Sequence, residues 1–464
     1  MARTQNNRSI LDYHVNARDA WIDHVEAKMK PTGVLVLGAG ASGMSCVRHL
    51  HGKRHLIICD TRFDTDQSPI PDWGTFYQNF PQASLIKPKD FGRAIDSVST
   101  LIVSPGLPLN HCLVKKALSS GIELVSDIDL FMEAADAPVI GITGTNGKST
   151  VTTLVSLMLE DRAFGVGGNL GPPALELLNG GFAGYVLELS SFQLERMAAR
   201  SFDIASIINI SEDHLDRHVS LEAYASAKRR IYRDCGFAVF NGDDPLSRPP
   251  DEVPSVAVNK NERWRVIDNG VVIDGRFVHG DAIKLTGDHN RFNVVAAAAI
   301  AHVAGAKVDI CQRVIETFEG LPHRTQTVGQ IDDVTYVDDS KATNLGSCIA
   351  AIEGVITQPS SRKIVLIAGG VGKDADFGAL GRTILGRVRS VVLIGRDARL
   401  IAESIPEALV VFASGVEDAV AKARKQAVSG DVVLFSPACA SYDMFENFAV
   451  RGQAFTRVVE GMSK

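Results

Sequence analysis

Short runs of β-branched and aliphatic residues recur along the chain, each ending in glycine or a small polar residue. They are VLVLGAG (34–40), HLIICDTR (55–62), TLIVSPG (100–106), VIGITG (139–144), YVLELSS (185–191), ASIINIS (205–211), KIVLIAGG (363–370), VVLIGR (391–396) and DVVLFSP (431–437). Continuous apolar runs of this length predict strands buried on both faces, as in a parallel sheet. Between several of them apolar positions return at helical spacing, as in 42–51, 148–160 and 220–233. This alternation predicts an α/β protein, and in such sheets ligands gather at the carboxyl ends of the strands. The loops after the runs are therefore where chemistry is expected.

Two stretches break the rhythm. EAADAP (133–138) precedes VIGITG, and GLPHR (320–324) follows a long alanine-rich helical stretch. They divide the chain into units of 1–137, 138–321 and 322–464, in line with about 150 residues per domain. Within the middle unit, a proline-containing polar stretch from 245 to 263 predicts a loop or a small strand excursion.

Composition narrows the function classes. With 48 Lys+Arg against 54 Asp+Glu the net charge is −6, which argues against a nucleic-acid surface as the main business. The seven cysteines form no C-x-x-C pair, so neither a disulfide framework nor a structural zinc site is expected; they read as buried thiols of a reducing compartment. No signal-peptide core is visible at the N-terminus, and NVVAAAAIAHVAGA falls short of a membrane span of about 20 residues. A cytoplasmic protein with no membrane span is expected. The 41 glycines against 6% aromatic residues suit many tight strand-to-helix turns.

The strongest chemical signal is GITGTNGKST (141–150), which follows a strand and opens a helix. Backbone N–H groups of Gly144, Thr145, Asn146 and Gly147 can cradle phosphates there, with Lys148 neutralising them and Ser149 or Thr150 reaching a magnesium ion. Ile142 stands where the strict P-loop pattern has glycine, so this is a variant. Glu188 interrupts an apolar strand near its carboxyl end; a magnesium ligand and a solvent-facing carboxylate on an edge strand explain it equally. SEDHLDRH (211–218) packs charges into a loop, where solvation is the common explanation, and spacing alone leaves Lys228 a surface lysine. A second turn, GAGASG (38–43), fits G-x-G-x-x-G, with Asp60 about 20 residues on. Alone it suggests a nucleotide, and an NAD-dependent dehydrogenase is the different-class alternative.

Taken together, GTNGKST (144–150), ELSSFQLE (188–195), DHLDRH (213–218), the lysine of YASAKRRIY (224–232), GDHNRFN (287–293), LPHR (321–324), DDSKATN (338–344) and SPACASYDMFENF (436–448) resemble the ATP-dependent Mur ligase family. SPG (104–106), DSKATN and SPACASYD resemble its glutamate-adding branch; other branches and the folylpolyglutamate synthetases share single motifs. The resemblance covers all but about the first 30 residues, which form an extension. It implies three domains: a Rossmann-like N-terminal domain for a UDP-sugar, a P-loop ATPase-like central domain with a mainly parallel sheet, and a Rossmann-like C-terminal domain for the amino acid. The implied reaction joins D-glutamate to UDP-N-acetylmuramoyl-L-alanine with ATP and two Mg2+ ions, through an acyl phosphate and a tetrahedral intermediate. The partners implied are these small molecules alone, and the expected state is a monomer.

The same resemblance distributes roles. Lys148 and Ser149 bind phosphate and magnesium, Glu188 holds the first ion, and His214 and Lys228 belong to the second-ion site, the lysine as a carbamate. Asn290 and Asn293 lie on the adenine side, with Arg324 and Asp339 completing the ATP site from the last domain. Ser42, Thr61, Arg62 and Gly106 contact the uridine nucleotide, with Asn169 and His214 along the muramyl part. Lys341, Thr343, Lys373, Ser441 and Phe448 receive glutamate. Val371 departs from relatives that carry an acidic residue in the glycine loop before Lys373. Because ATP residues come from two domains, the linker near 320–324 is expected to act as a hinge.

Overall fold

The computed structural model describes residues 33–462 apart from 64, 66, 67, 71, 199, 200, 286, 356–361 and 374; the N-terminal extension lies outside the described residues. The chain builds successive α/β layers, each around its own sheet. The first sheet runs Ala83–Ile86, Leu56–Cys59, Gly33–Leu37, Val98–Val103, Glu123–Val125, all parallel. Its strand order reverses between Gly33–Leu37 and Val98–Val103, the place where a doubly wound sheet opens a ligand crevice. The loops that leave these two strands carry GAGASG and SPG.

The central sheet has six parallel strands in the order Ser255–Val258, Phe237–Asn241, Ile204–Ile207, Val139–Thr143, Gly184–Glu188, Phe164–Gly168. Its strand Val139–Thr143 feeds the P-loop and the helix Lys148–Met158. Against that helix lies Asp288–Val303, in which Asn293 through Ala301 are buried on every side. Alanine makes this possible: small side chains let the helix sit between Lys148–Met158 and a further sheet without leaving voids.

That further sheet is antiparallel and three-stranded, Trp264–Ile267, Gly270–Ile273 and Arg276–His279. The last two strands are joined by Asp274–Gly275, with φ of 51° and 78°. Two successive positive φ values mark the hairpin turn that matches strand twist, and Asp-Gly is a preferred pair for it. The predicted excursion at 245–263 is more structured than expected. It forms a short turn at Pro245–Ser247 and the strand Ser255–Val258, which extends the central sheet in parallel.

The last sheet runs Gln326–Ile331, Val334–Asp338, Val432–Phe435, Ile364–Gly369, Val388–Ile394, Val410–Phe412, parallel except for its first pair. Three neighbouring strands there, Val334–Asp338, Val432–Phe435 and Ile364–Gly369, send DSKATN, SPACAS and GGVGK off the same edge. One sheet thus lines up three loops spread over about a hundred residues of sequence. Arg451, fully buried, ties two of them: its guanidinium donates to Ser340 O (2.8 Å), Ser340 Oγ (3.0 Å) and Cys439 O (3.0 Å).

Six cysteines are buried and no disulfide joins any of the seven, but Cys112 is exposed at the start of the helix Cys112–Ser119. The expectation that all seven are buried fails there because the helix turns its first residue outward. Among the described residues no helix is long and apolar enough to cross a membrane.

Candidate functional site

In the N-terminal unit the backbone of Gly38 has φ +101°, and a Cβ on Gly43 would meet Gly38 O at 1.9 Å. Only glycine allows this close turn into the helix Ala41–Leu50, whose N-cap, Gly40, offers no side chain to its first N–H groups. A helix N-terminus left open in this way suits an anion. Ser42 lies in its first turn, and Ser104 N donates to Leu37 O (2.9 Å), bringing SPG alongside. Asp60 does not present a free carboxylate for a ribose. Buried, it accepts from Ala39 N (2.8 Å) and from the backbone and guanidinium of Arg62, at 2.8–2.9 Å. Burial raises its pKa, but these donors prevail and hold it below the usual carboxylate range. Asp60 therefore braces GAGASG against the loop that bears Thr61 and Arg62.

The P-loop turns on glycine where phosphate would approach. Gly144 and Gly147 have φ of +156° and +81°, and a Cβ on Gly147 would lie 2.5 Å from Asn293 Oδ1. Gly147 caps the helix Lys148–Met158 without a side-chain bond, leaving its first N–H groups facing outward. Asn209, which sequence reasoning passed over, accepts from Thr145 N (3.1 Å) and Asn146 N (2.9 Å) and donates to Asn146 O (2.9 Å). It sits at the end of ASIINIS, and its polar side chain after an apolar strand was the available signal. Lys148 Nζ folds back onto Gly144 O (2.9 Å) and Thr145 O (2.8 Å). Burial lowers its pKa, opposed by Glu188 and Asp213.

Glu188 ends an interior strand, flanked on both sides, so the edge-strand explanation does not hold. Its side chain is 2% exposed; Oε1 accepts from Asn169 Nδ2 (2.5 Å), while Oε2 is buried without a hydrogen-bond partner. Burial pushes the carboxyl pKa up, yet Lys148 and Asn169 hold it below the ordinary value. An orphaned, ionised oxygen in a dry site is costly unless a cation serves it. Ser149, whose Oγ receives Arg324 Nη2 at 2.8 Å, adds a hydroxyl, and such a hard oxygen donor set fits Mg2+.

Lys228 is not a surface residue. It is 1% exposed, donates to Gly144 O (2.8 Å) and Thr143 Oγ1 (3.3 Å), and lies over the Tyr224 ring at 4.6 Å. Burial, reinforced by Lys148, depresses its pKa well below that of an ordinary lysine. A neutral amine with no carboxylate partner is the reactive form for modification. Nearby, His214 adopts φ +55° and packs its ring edge-on against Phe192 at 4.8 Å. Burial lowers its pKa to about 3, so the imidazole is neutral and able to ligate.

A cleft of about 490 Å³ lies between the central and last units. Asn146, Gly147, Thr150, Asn290 and Asn293 line it from one side, Arg324, Asp339 and Lys341 from the other. Asn293 Nδ2 donates to Asn290 Oδ1 (3.1 Å). Asp339 accepts from Ser436 Oγ (2.6 Å) and Thr325 N (3.1 Å), and burial lifts its pKa to about 7. Lys341, its pKa lowered by burial to about 8, holds Nζ 4.0 Å above the Phe448 ring. Asn344 and Ser347, both unforeseen, cross the gap to Asn146 Oδ1 at 3.0 and 2.7 Å.

A second cavity, about 250 Å³, holds Thr343 and Lys373 opposite Asp213 and His214. The residues expected to receive glutamate are therefore divided: Thr343 and Lys373 face this cavity, whereas Lys341 faces the larger cleft. Phe448 stays beside Lys341. Ser441 is buried next to Ala440, which bridges Val371 of the glycine loop, and it lines neither space.

Family models match three consecutive stretches: the Mur ligase MurD-like N-terminal domain over 32–126, the Mur ligase middle domain over 142–301, and the Mur ligase glutamate ligase domain over 323–439. The chain is 41% identical over 447 residues to the UDP-N-acetylmuramoylalanine–D-glutamate ligase of Saccharophagus degradans, covering 93% of this chain and 98% of the relative. It is likewise 41% identical over 448 residues to the same-named ligase of Pseudomonas aeruginosa, covering 92% and 98%. Among solved structures, the MurF ligase of Thermotoga maritima in complex with ADP is similar in fold, with a TM-score of 0.57 at 18% identity over 93% of this chain and 99% of that one.

Proposed function

The chain belongs to the Mur ligase family, and on that premise we propose that its loops gather the three substrates of one reaction. That reaction is the ATP-dependent addition of D-glutamate to UDP-N-acetylmuramoyl-L-alanine in peptidoglycan synthesis. The observation that carries the reading is the P-loop cleft closed by Arg324 and Asp339 from the last unit, because phosphoryl transfer needs charge stabilisation from both sides.

The units 1–137, 138–321 and 322–464 each contribute one substrate site. The open helix start at Ala41–Leu50, with Ser42, Thr61, Arg62 and Gly106, takes the uridine diphosphate. Gly144 to Thr150 cradle the ATP phosphates; Asn290 and Asn293 flank the adenine, and Arg324 and Asp339 close over it. Lys148 leaves its own loop carbonyls for the γ-phosphate. Asn169 and His214 orient the muramyl-linked alanine between these sites. Its carboxylate attacks the γ-phosphorus and ADP leaves. Glutamate is held through its carboxylates by Lys373 and Thr343, with Lys341, Ser441 and Phe448 nearby; its neutral amine attacks the acyl carbon, loses a proton, and phosphate departs from the tetrahedral intermediate.

Magnesium would be held by Ser149 and Glu188, and a second ion by His214 and carbamylated Lys228; bound there, the ions neutralise oxygen charge in both steps. The burial and missing carboxylate partner of Lys228 favour the carbamate. Because ATP and nucleotide sugar are its substrates, the enzyme works in the cytoplasm, and with all three proposed sites on one chain a monomer suffices. Phosphate release that requires ATP, Mg2+, UDP-N-acetylmuramoyl-L-alanine and D-glutamate together is the expected result of a coupled assay. Full activity without the UDP-sugar would overturn the assignment. A folylpolyglutamate synthetase-like activity would leave the first sheet without a ligand, so UDP raising the melting temperature argues against it.

A further inference from the structure

The small cavity contains an ion pair that no role above explains. Asp213 and Lys373 have side chains only 9% and 13% exposed, and Lys373 Nζ lies 3.1 Å from Asp213 Oδ1. Asn344 Nδ2 donates to the other carboxylate oxygen at 2.9 Å, and His214 N donates to Oδ1 at 2.8 Å. Lys373 and His214 both hold left-handed backbones, with φ of 54° and 55°, uncommon for residues with side chains. Two strained loops from different units thus meet across one carboxylate and one ammonium, in a space of about 250 Å³.

We propose that Asp213 is the anchor for the ammonium group of the incoming amino acid. This rests on reading the cavity as the glutamate site. An α-amino acid carries a carboxylate and an ammonium on one carbon, and a buried acid–base pair in contact is their complement in charge and spacing. On binding, the substrate carboxylate takes Lys373 and the substrate ammonium takes Asp213, so both buried charges stay paired while one contact is exchanged for two. A pair this dry gains little from its own contact, because desolvation offsets most of the attraction, so the exchange is not opposed by a strong existing bond. Asn344 and His214 N keep the carboxylate in place meanwhile. The ammonium is then held one residue from His214, on the side where the activated alanine carboxyl is placed.

A role in positioning Lys373 makes a different prediction from a role in holding the ammonium. Glutarate has both carboxylates of glutamate and no amine. Calorimetry on the full chain, saturated with a non-hydrolysable ATP analogue and the nucleotide sugar, compares D-glutamate with glutarate for the wild type and Asp213→Asn. In the wild type D-glutamate binds at least about tenfold tighter than glutarate, the scale of one hydrogen bond to a charged group. In Asp213→Asn that preference collapses to about twofold or less, with ATP binding unchanged as evidence of an intact fold. Asp213→Ala is the second variant and shows the same collapse. Equal weakening of both ligands, with the preference intact, would overturn the proposal and leave Asp213 a support for Lys373. Failure of the wild type to bind either ligand would remove the glutamate reading, and the proposal with it.

Discussion

At the residue scale, the buried groups that carry no ordinary partner decide the chemistry. Glu188 Oε2 sits without a hydrogen-bond partner in a dry interior where that is costly, and the Lys228 amine beside it is bonded to Gly144 O and Thr143 Oγ1 rather than to a carboxylate. Glu188→Gln keeps the shape but removes the charge that a cation answers, so kcat should fall by about a hundredfold or more with the melting temperature retained. Steady-state kinetics alongside a thermal melt decide this; turnover within a few-fold of wild type would contradict the metal assignment. Gly147→Ala tests the loop itself. The added Cβ would strike Asn293 Oδ1 at a φ that disfavours alanine, so ATP affinity should drop while UDP binding in the first unit is unaffected. Calorimetry with each nucleotide reads the two effects separately. Residue types were legible here, but partnership was not. Lys228 resembled a surface lysine because its burial depends on Thr143 and Gly144, which are 85 and 84 positions away. Asp213 was hidden in a charged loop for the same reason, since its partners Asn344 and Lys373 belong to the last unit.

At the element scale, nine parallel strands announced themselves as apolar runs, whereas other parallel strands, such as Ala83–Ile86, Phe164–Gly168 and Phe237–Asn241, and the antiparallel hairpin did not. A strand buried on both faces is a continuous apolar run, so Val139–Thr143, Gly184–Glu188 and Ile364–Gly369 were plain to read. The hairpin strands of 264–279 are short and carry the exposed Arg265, Arg276 and His279, the last two on opposite faces, which blurs any alternation. The end of a strand is also where structural charges sit. Asp431, 1% exposed ahead of Val432–Phe435, accepts from Lys363 N (2.9 Å), Val428 N (3.1 Å) and Arg389 Nε (2.6 Å). Burial raises its pKa but Arg389 and the backbone donors lower it further, to below the unfolded value of 3.8. Stability from this group is therefore fully present above the unfolded pKa and is lost as pH falls through the folded one. Asp431→Asn should destabilise the protein by about 2 kcal/mol at neutral pH, with the gap to wild type narrowing as pH falls below the unfolded value of 3.8. Denaturant melts across that range check it; a gap that does not change with pH would show that packing, not charge, is at stake.

At the scale of the whole molecule, the contacts that complete the site cross between units. Arg324 reaches Ser149, Asn344 and Ser347 reach Asn146, and Lys373 reaches Asp213. Each joins polar groups across a gap that the substrates are proposed to fill, so ligand binding and domain approach are coupled. Saturation with nucleotide, UDP-sugar and glutamate should change the small-angle scattering curve, and a curve identical to that of the free protein would count against the hinge near 320–324. The stretches 133–138 and 320–324, set in a repeating strand-and-turn pattern, made three α/β units readable in the chain, but how their loops meet depends on packing that no local pattern encodes. The central claim is that this meeting makes one amide bond. Mass spectrometry of a reaction with ATP, UDP-N-acetylmuramoyl-L-alanine and either glutamate enantiomer tests it most directly. The D-glutamyl product is expected in one-to-one yield with ADP, with little product from L-glutamate; ADP without a glutamyl product, or equal use of both enantiomers, would overturn this assignment.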